Sequence, residues 1–277
     1  MQVRKHGCSG PLVLVLHGGP GAPGSAAALA RGLADSFRVR EPWQRGSSTT
    51  PLTVAQHVTD LHALIHSLDA PRPALVGHSW GAMLALAYAA AHPENACPLV
   101  LVGCGTFDKA ARAQLQATLA ARPSDALRQR LERLETEIPD PQARMAKWGE
   151  LLDTLYTYAP LPAVPETEPH PPFDPRAHTE TWNDMLRQQE AGLYPAAFAA
   201  IRSPVLMLHG AYDPHPGPMI RDGLLPYLPQ LEYREWERCG HTPWNERYVR
   251  DEFFAVLRAW LGEKTGKICV RSMPRTR

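Results

Sequence analysis

Three residues far apart in the chain have the types and the order needed to activate a hydroxyl: Ser79, Asp213 and His241. A serine hydroxyl is a weak nucleophile until a base takes its proton. An imidazole does this well when an acid holds it in the right tautomer and stabilises its cation. Each of the three stands just past a stretch that reads as a strand: the apolar run Ala74-Leu75-Val76 before Ser79, the apolar run Val205-Leu206-Met207-Leu208 before Asp213, and residues 231 to 236 before His241. The chemistry such a set performs is acyl transfer through a covalent serine ester. Glu232, Glu235 and Glu237 are alternative acids, although the first two fall inside a strand pattern.

Ser79 is the centre of Gly77-His78-Ser79-Trp80-Gly81, between that apolar run and the Ala-rich stretch Ala82-Met83-Leu84-Ala85-Leu86-Ala87-Tyr88. Strand, sharp turn and helix is the context this pentapeptide needs, and glycines two places either side of the serine remove the Cβ atoms that would collide there. The serine would then sit at a helix N-terminus, where the free N–H of Trp80 faces any negative charge developing beside it. A second donor is expected from His17-Gly18-Gly19-Pro20-Gly21, with Gly19 N–H opposite Trp80 N–H. A phosphate-binding loop is disfavoured, because neither GxGxxG nor GxxxxGK[ST] can be written there.

The elements that must position these residues alternate. Leu12 to Leu16 is apolar on both faces, as a central strand of a helix-covered parallel sheet requires. Residues 25 to 36 read as a helix and 37 to 41 as a strand, and Thr53 caps a helix whose apolar face is Val54, Val58, Leu61, Ile65 and Leu68. His57 and His62 fall on its other faces and are expected to be solvated. Residues 98 to 103 form another buried strand. From 107 to 200 no strand pattern occurs: 124 to 138, 142 to 158 and 179 to 191 read as helices, and 160 to 175, with seven prolines, reads as an extended strap. The expectation is an α/β fold with a mostly parallel sheet flanked by helices: a core of residues 1–106 and 201–261, a helical lid at 107–200, and a disordered basic tail at 262–277.

With 29 basic against 28 acidic residues and 44% hydrophobic content, the 277-residue chain reads as globular, with neither nucleic acid nor a membrane surface as its main partner. The expected partner is a small molecule or short peptide. Five cysteines without CxxC or metal-ligand spacing point to a reducing compartment, hence the cytoplasm, and no run approaches the roughly 18 apolar residues of a membrane helix. His170, His178, His209 and His215 contain no HxxxH or HxH pair, and a serine triad needs neither metal nor cofactor; none is expected.

Over nearly its whole length the sequence resembles the α/β-hydrolase superfamily, and within it the proline iminopeptidase group. The resemblance rests on His17-Gly18-Gly19-Pro20-Gly21, Gln44-Arg45-Gly46, Ser79-Trp80-Gly81, His92-Pro93-Glu94 and Tyr212-Asp213. It implies that Ser79, Asp213 and His241 are the triad, that Gly19 and Trp80 donate to the oxyanion, and that a helical lid shapes the pocket. The chain departs from the group's pattern at His78 and Trp43. The lid glutamate that follows a tryptophan in the group and binds a substrate's free amino terminus has here only the near match Trp148-Gly149-Glu150. Glu150 and Glu190, with Glu135 and Glu137, are the candidates for that task. The start of the first central strand at residue 12 leaves too little room for the group's two leading strands. A serine hydrolase of a small ester, lactone, amide or N-terminal peptide is the first reading. A triad-bearing C–C hydrolase, a cofactor-free haloperoxidase and a non-catalytic ligand-binding module are the alternatives.

Overall fold

The computed structural model describes residues 1–70, 72–95, 97–162 and 168–271. Seven strands form one sheet in the order β1 (Val3–His6), β3 (Arg38–Pro42), β2 (Leu12–Leu16), β4 (Ala74–His78), β5 (Leu99–Val102), β6 (Val205–Gly210), β7 (Leu231–Trp236). All neighbours are parallel except β1, which pairs antiparallel with β3. One leading strand therefore fits before residue 12. Its alternation Val-Arg-Lys-His carries little apolar signal, and it is held at the sheet edge partly by a buried ion pair of Arg4 with Glu41, Nε to Oε2 at 2.9 Å.

The unbroken apolar runs of the central strands are explained by helices on both faces. Leu12, Leu14, Leu16, Leu75, Leu99, Leu101 and Met207 pack on one side, with α2 (Val54–His66), α3 (Trp80–Ala91) and α8 (Gly217–Leu224). Val13, Val15, Val76, Val100, Val102 and Leu208 point the other way, onto α1 (Ala27–Leu33) and α9 (Arg250–Arg271). Helix α3 is buried from Trp80 through Ala89, which is why its sequence is apolar on all sides. Thr53 forms a full capping box with Gln56 at the start of α2.

Between β5 and β6 stand α4 (Lys109–Ala121), α5 (Asp125–Glu137), α6 (Pro141–Tyr156) and α7 (Pro175–Glu190). The first has only one buried residue, Ala111, and so offers no clear periodicity to read. Part of the expected strap, residues 163–167, lies outside the described residues. The tail expected to be disordered from residue 262 instead continues α9 to Arg271, while 272–277 lie outside the described residues. No helix among the described residues is long and apolar enough to cross a membrane.

Candidate active site

Ser79 has φ 55° and ψ −118° and is the only non-glycine residue with positive φ among those described. Strand β4 can turn into α3 through such a residue only if its neighbours are very small. A Cβ on Gly77 would lie 2.2 Å from the carbonyl oxygen of Gly81, and one on Gly81 would lie 2.2 Å from that of Leu16. The Ser79 N–H donates to Val102 O at 2.8 Å, which pins the turn to the neighbouring strand.

Asp213 follows β6 and His241 follows β7, so the parallel sheet brings all three residues to the carboxyl ends of their strands. His241 Nδ1–H donates to Asp213 Oδ2 at 2.6 Å. Burial alone would raise the Asp213 carboxyl, but His241, His215 and His209 around it outweigh that and hold it well below the usual carboxylate range. The other oxygen, Oδ1, accepts from the backbone N–H and from Nδ1–H of His215, both at 2.9 Å. The alternative acids stand apart from this cluster: Glu232 accepts from Trp260 Nε1, Glu235 from the Tyr233 hydroxyl, and Glu237 is exposed.

The glycine loop after β2 runs against the elbow. A Cβ on Gly18 would come within 3.2 Å of the Ser79 Cβ, and Gly19, at φ +112°, occupies a conformation that other residues rarely adopt. His17 fixes this loop, its Nδ1–H donating to Gly18 O at 2.9 Å and its Nε2 accepting from Gln44 N at 3.0 Å. Gln44 completes the bracket: its amide donates to His17 O at 2.8 Å, and its Oε1 accepts the Trp80 indole N–H at 2.7 Å. The Gln44 side chain thus ties Trp80 to His17, the residue that opens the glycine loop. Burial drives the pKa of His17 down to about 4, so the ring is neutral in the tautomer that these contacts require.

His78, the departure within the pentapeptide, is buried beneath the site. Its Nε2–H donates to His241 O at 3.2 Å and its ring meets Trp244 edge-on at 4.7 Å. His57, expected to be solvated, is also buried: its Nε2 lies 3.0 Å from Thr181 Oγ1 and its ring packs edge-on against Trp80 at 5.8 Å. The partner that covers it is α7, a segment more than a hundred residues away, so the periodicity of α2 alone could not reveal the burial.

Two sets of contacts tie the inserted helices to the site. Along α7 and its cap, Asp174 accepts from Ser47 N at 2.8 Å, Glu180 from Leu52 N at 2.9 Å and Asp184 from Val54 N at 2.8 Å. At the end of α6, His241 N donates to Tyr156 O at 2.8 Å. The fully buried Glu246 carboxylate accepts from Tyr158 N and Ala159 N, both at 2.7 Å, and from Gly240 N at 2.8 Å. Glu246 lies ahead of α9 as a clasp between the α6 exit and the His241 loop.

Ser79, His241, Gly19 and Trp80 line one cavity of about 420 Å³. Its far walls come from the inserted helices, with Leu115 from α4, Leu152, Asp153 and Tyr156 from α6, and His178 and Trp182 from α7. Glu150 and Glu190 are not brought to it. Glu150 is 64% exposed and pairs with Lys147 at 2.5 Å, and Glu190 is exposed at the end of α7. The carboxylate of the inserted helices that does line the cavity, among the described residues, is Asp153, one turn further along α6. It is open to the cavity yet closely surrounded by protein, and this desolvation raises its pKa against the pull of His241, with Glu246 adding to the rise.

The model of the alpha/beta hydrolase family matches residues 12–255, and the chain belongs to that family. A proline iminopeptidase of Xylella fastidiosa (strain 9a5c) is 37% identical over 101 residues, a match that takes in 34% of this chain and 32% of the relative. The chain thus aligns with about a third of the length of the curated relatives it matches. Among solved structures, the proline iminopeptidase of Mycobacterium smegmatis superposes with a TM-score of 0.63 at 20% identity, covering 96% of this chain and 95% of that one. A thermophilic esterase from Thermogutta terrifontis gives 0.62 at 20% identity, with 95% and 93% covered. At those identities the likeness concerns the fold.

Proposed function

We propose that this chain is a serine hydrolase that cleaves small esters or amides through an acyl-enzyme formed on Ser79. The observation that carries the reading is the 2.6 Å contact of His241 Nδ1 with Asp213, in a cavity whose wall also holds Ser79. With its Nδ1 proton given to Asp213, the neutral His241 ring keeps its lone pair on Nε2. That lone pair takes the Ser79 proton as Oγ attacks the carbonyl carbon, and the same ring returns the proton to the leaving alcohol or amine. The N–H groups of Gly19 and Trp80 serve the oxyanion of the tetrahedral intermediate. Water then repeats the sequence on the acyl-enzyme. No metal or cofactor enters these steps.

The substrate is small and its acyl part largely apolar. A cavity of about 420 Å³ suits a small ligand, and Met83, Leu115, Leu152 and Trp182 contribute to its walls. Asp153 favours a second reading, cleavage of a substrate with a free amino terminus, since a buried ammonium needs a carboxylate partner. Cys8, Cys97, Cys104 and Cys239 are free thiols, which supports the cytoplasm as the compartment. A side-by-side assay tests the function: short-chain nitrophenyl esters against proline and alanine amides of a chromogenic amine, each amide with a free or acetylated amino terminus. Ester turnover alone supports the neutral-acyl reading; hydrolysis confined to free-amine substrates supports the second. Turnover of none of them by the folded protein contradicts both.

A further inference from the structure

His215 has no part in the acyl transfer above, yet it stands beside the base. Its ring stacks on that of His241, with centroids 4.7 Å apart and planes 17° from parallel. The two rings are tethered to opposite oxygens of the same carboxylate, His241 to Oδ2 and His215 to Oδ1 of Asp213. An ionised carboxylate only accepts, so each ring turns its Nδ1–H to it, and in the neutral form of either ring Nε2 is the free nitrogen. Both rings line the cavity that holds Ser79. Donor atoms of Asp213, His215 and His241 all lie within 4.8 Å of one another.

An imidazole whose Nδ1–H is given to a carboxylate, leaving Nε2 free, is the form in which proteins present histidine to a metal. Here two such imidazoles lie side by side on one carboxylate. We propose that the Nε2 atoms of His215 and His241 form a binding site for a borderline transition-metal dication of the zinc type, and that its occupation switches the hydrolase off. The inhibitory half rests on the serine-hydrolase reading; the binding half does not.

In a tetrahedral site two nitrogens at about 2.0–2.1 Å from the ion have lone pairs that converge on it, so binding turns the two rings out of their near-parallel stack until both Nε2 atoms face one point. The ionised Asp213 behind both rings offsets part of the dication's charge, and water or the Ser79 oxygen fills the remaining positions. The metal takes the His241 lone pair that accepts the Ser79 proton, and the two uses exclude each other.

A second group of histidines provides the control. Where α2 and α3 end, His62 packs tilted against His66 and stacks on His92, with centroids 4.0 and 3.8 Å apart, and none of the three contacts Asp213. The test titrates Co²⁺ alone, in a non-chelating buffer, into the Ser79→Ala protein and follows visible absorption and its displacement by Zn²⁺. One ion per chain is expected, with affinity lowered about tenfold or more in His215→Phe and in His215→Gln, and unchanged in the His62→Ala, His66→Ala, His92→Ala triple variant. In the wild-type protein Zn²⁺ should inhibit ester hydrolysis reversibly, with EDTA restoring it, and the His215 variants should resist. Absence of binding overturns the proposal. So does binding lost in the surface triple variant but kept in both His215 variants, or inhibition that survives loss of His215. Binding that depends on His215 in a protein without any hydrolase activity would leave the metal site standing and remove the serine-hydrolase reading instead.

Discussion

The indole N–H of Trp80 donates to Oε1 of Gln44 at 2.7 Å, deep under the elbow. Because the same glutamine also binds both the ring and the carbonyl of His17, it fixes Trp80 relative to the glycine loop. One side-chain amide thereby joins the start of the glycine loop to the elbow tryptophan, and under the proposed mechanism rigid placement of the donors on these two segments is what makes them effective.

Replacing Gln44 by Ala removes this bracket and leaves buried polar groups of Trp80 and His17 without partners. The expected result is a fall in kcat of about tenfold at nearly constant KM, smaller than the roughly 10² lost with a whole oxyanion donor, and a stability loss of about 1–3 kcal/mol. Steady-state kinetics on a nitrophenyl ester together with urea melts measure both. An unchanged kcat in the folded variant would remove Gln44 from the positioning of the site.

Stability should fall as pH drops from about 6.5 towards 4. Burial lowers the pKa of both His17 and His57 from 6.5 to about 4, so in this window the unfolded chain binds protons that the folded chain refuses. Their contribution is complete above pH 6.5 and is lost on acidification, with His17 alone worth up to about 3 kcal/mol. His78 and His215, also lowered by burial, act in the same direction. Urea midpoints at pH 7.5, 6 and 5 should decline steadily; a flat profile would mean that these rings are not buried and neutral.

Glu246→Gln tests the clasp. An amide cannot accept from all three of the N–H groups of Tyr158, Ala159 and Gly240 as the carboxylate does, and its NH₂ group opposes at least one of them. The variant should lose about 1–3 kcal/mol of stability. Because the clasp joins the α6 exit to the loop of His241, kcat should fall in the fraction that remains folded. Thermal melts and active-site titration separate the two effects, and full activity per folded molecule would make Glu246 a purely structural residue.

Asp153→Asn distinguishes the two substrate readings. If the Asp153 carboxylate pairs with a substrate ammonium, the variant loses cleavage of free-amine amides by about tenfold or more, while esters and acetylated amides change little. Equal effects on all substrates would show that Asp153 acts on the site as a whole. Glu150→Gln and Glu190→Gln, on the outside of the lid helices, should leave every substrate unaffected.

What the sequence made legible follows physical range. The elbow was readable because Gly77, Ser79 and Gly81 satisfy a local steric demand, and the strands because Leu and Val side chains fill both faces of the sheet. The Ser, Asp, His order could be read because a parallel sheet gathers strand ends. The contacts made across the fold were not legible. The burial of His57 depends on Thr181, the role of Glu246 on a turn at Tyr158, and the importance of His215 on the stacking of His241. Glu150 is suggested by a pattern in which the tryptophan and the acid are adjacent. Here helical phase turns Glu150 outward and leaves Asp153, three positions on, at the cavity.

The account stands on Ser79 as a covalent nucleophile, and labelling with an active-site-directed fluorophosphonate, read by intact mass and peptide mapping, tests that most directly. It predicts one adduct per chain, on Ser79, with labelling abolished in Ser79→Ala and strongly slowed in His241→Ala. Stoichiometric labelling at another residue, or a Ser79→Ala protein that reacts as the wild type does, would contradict it.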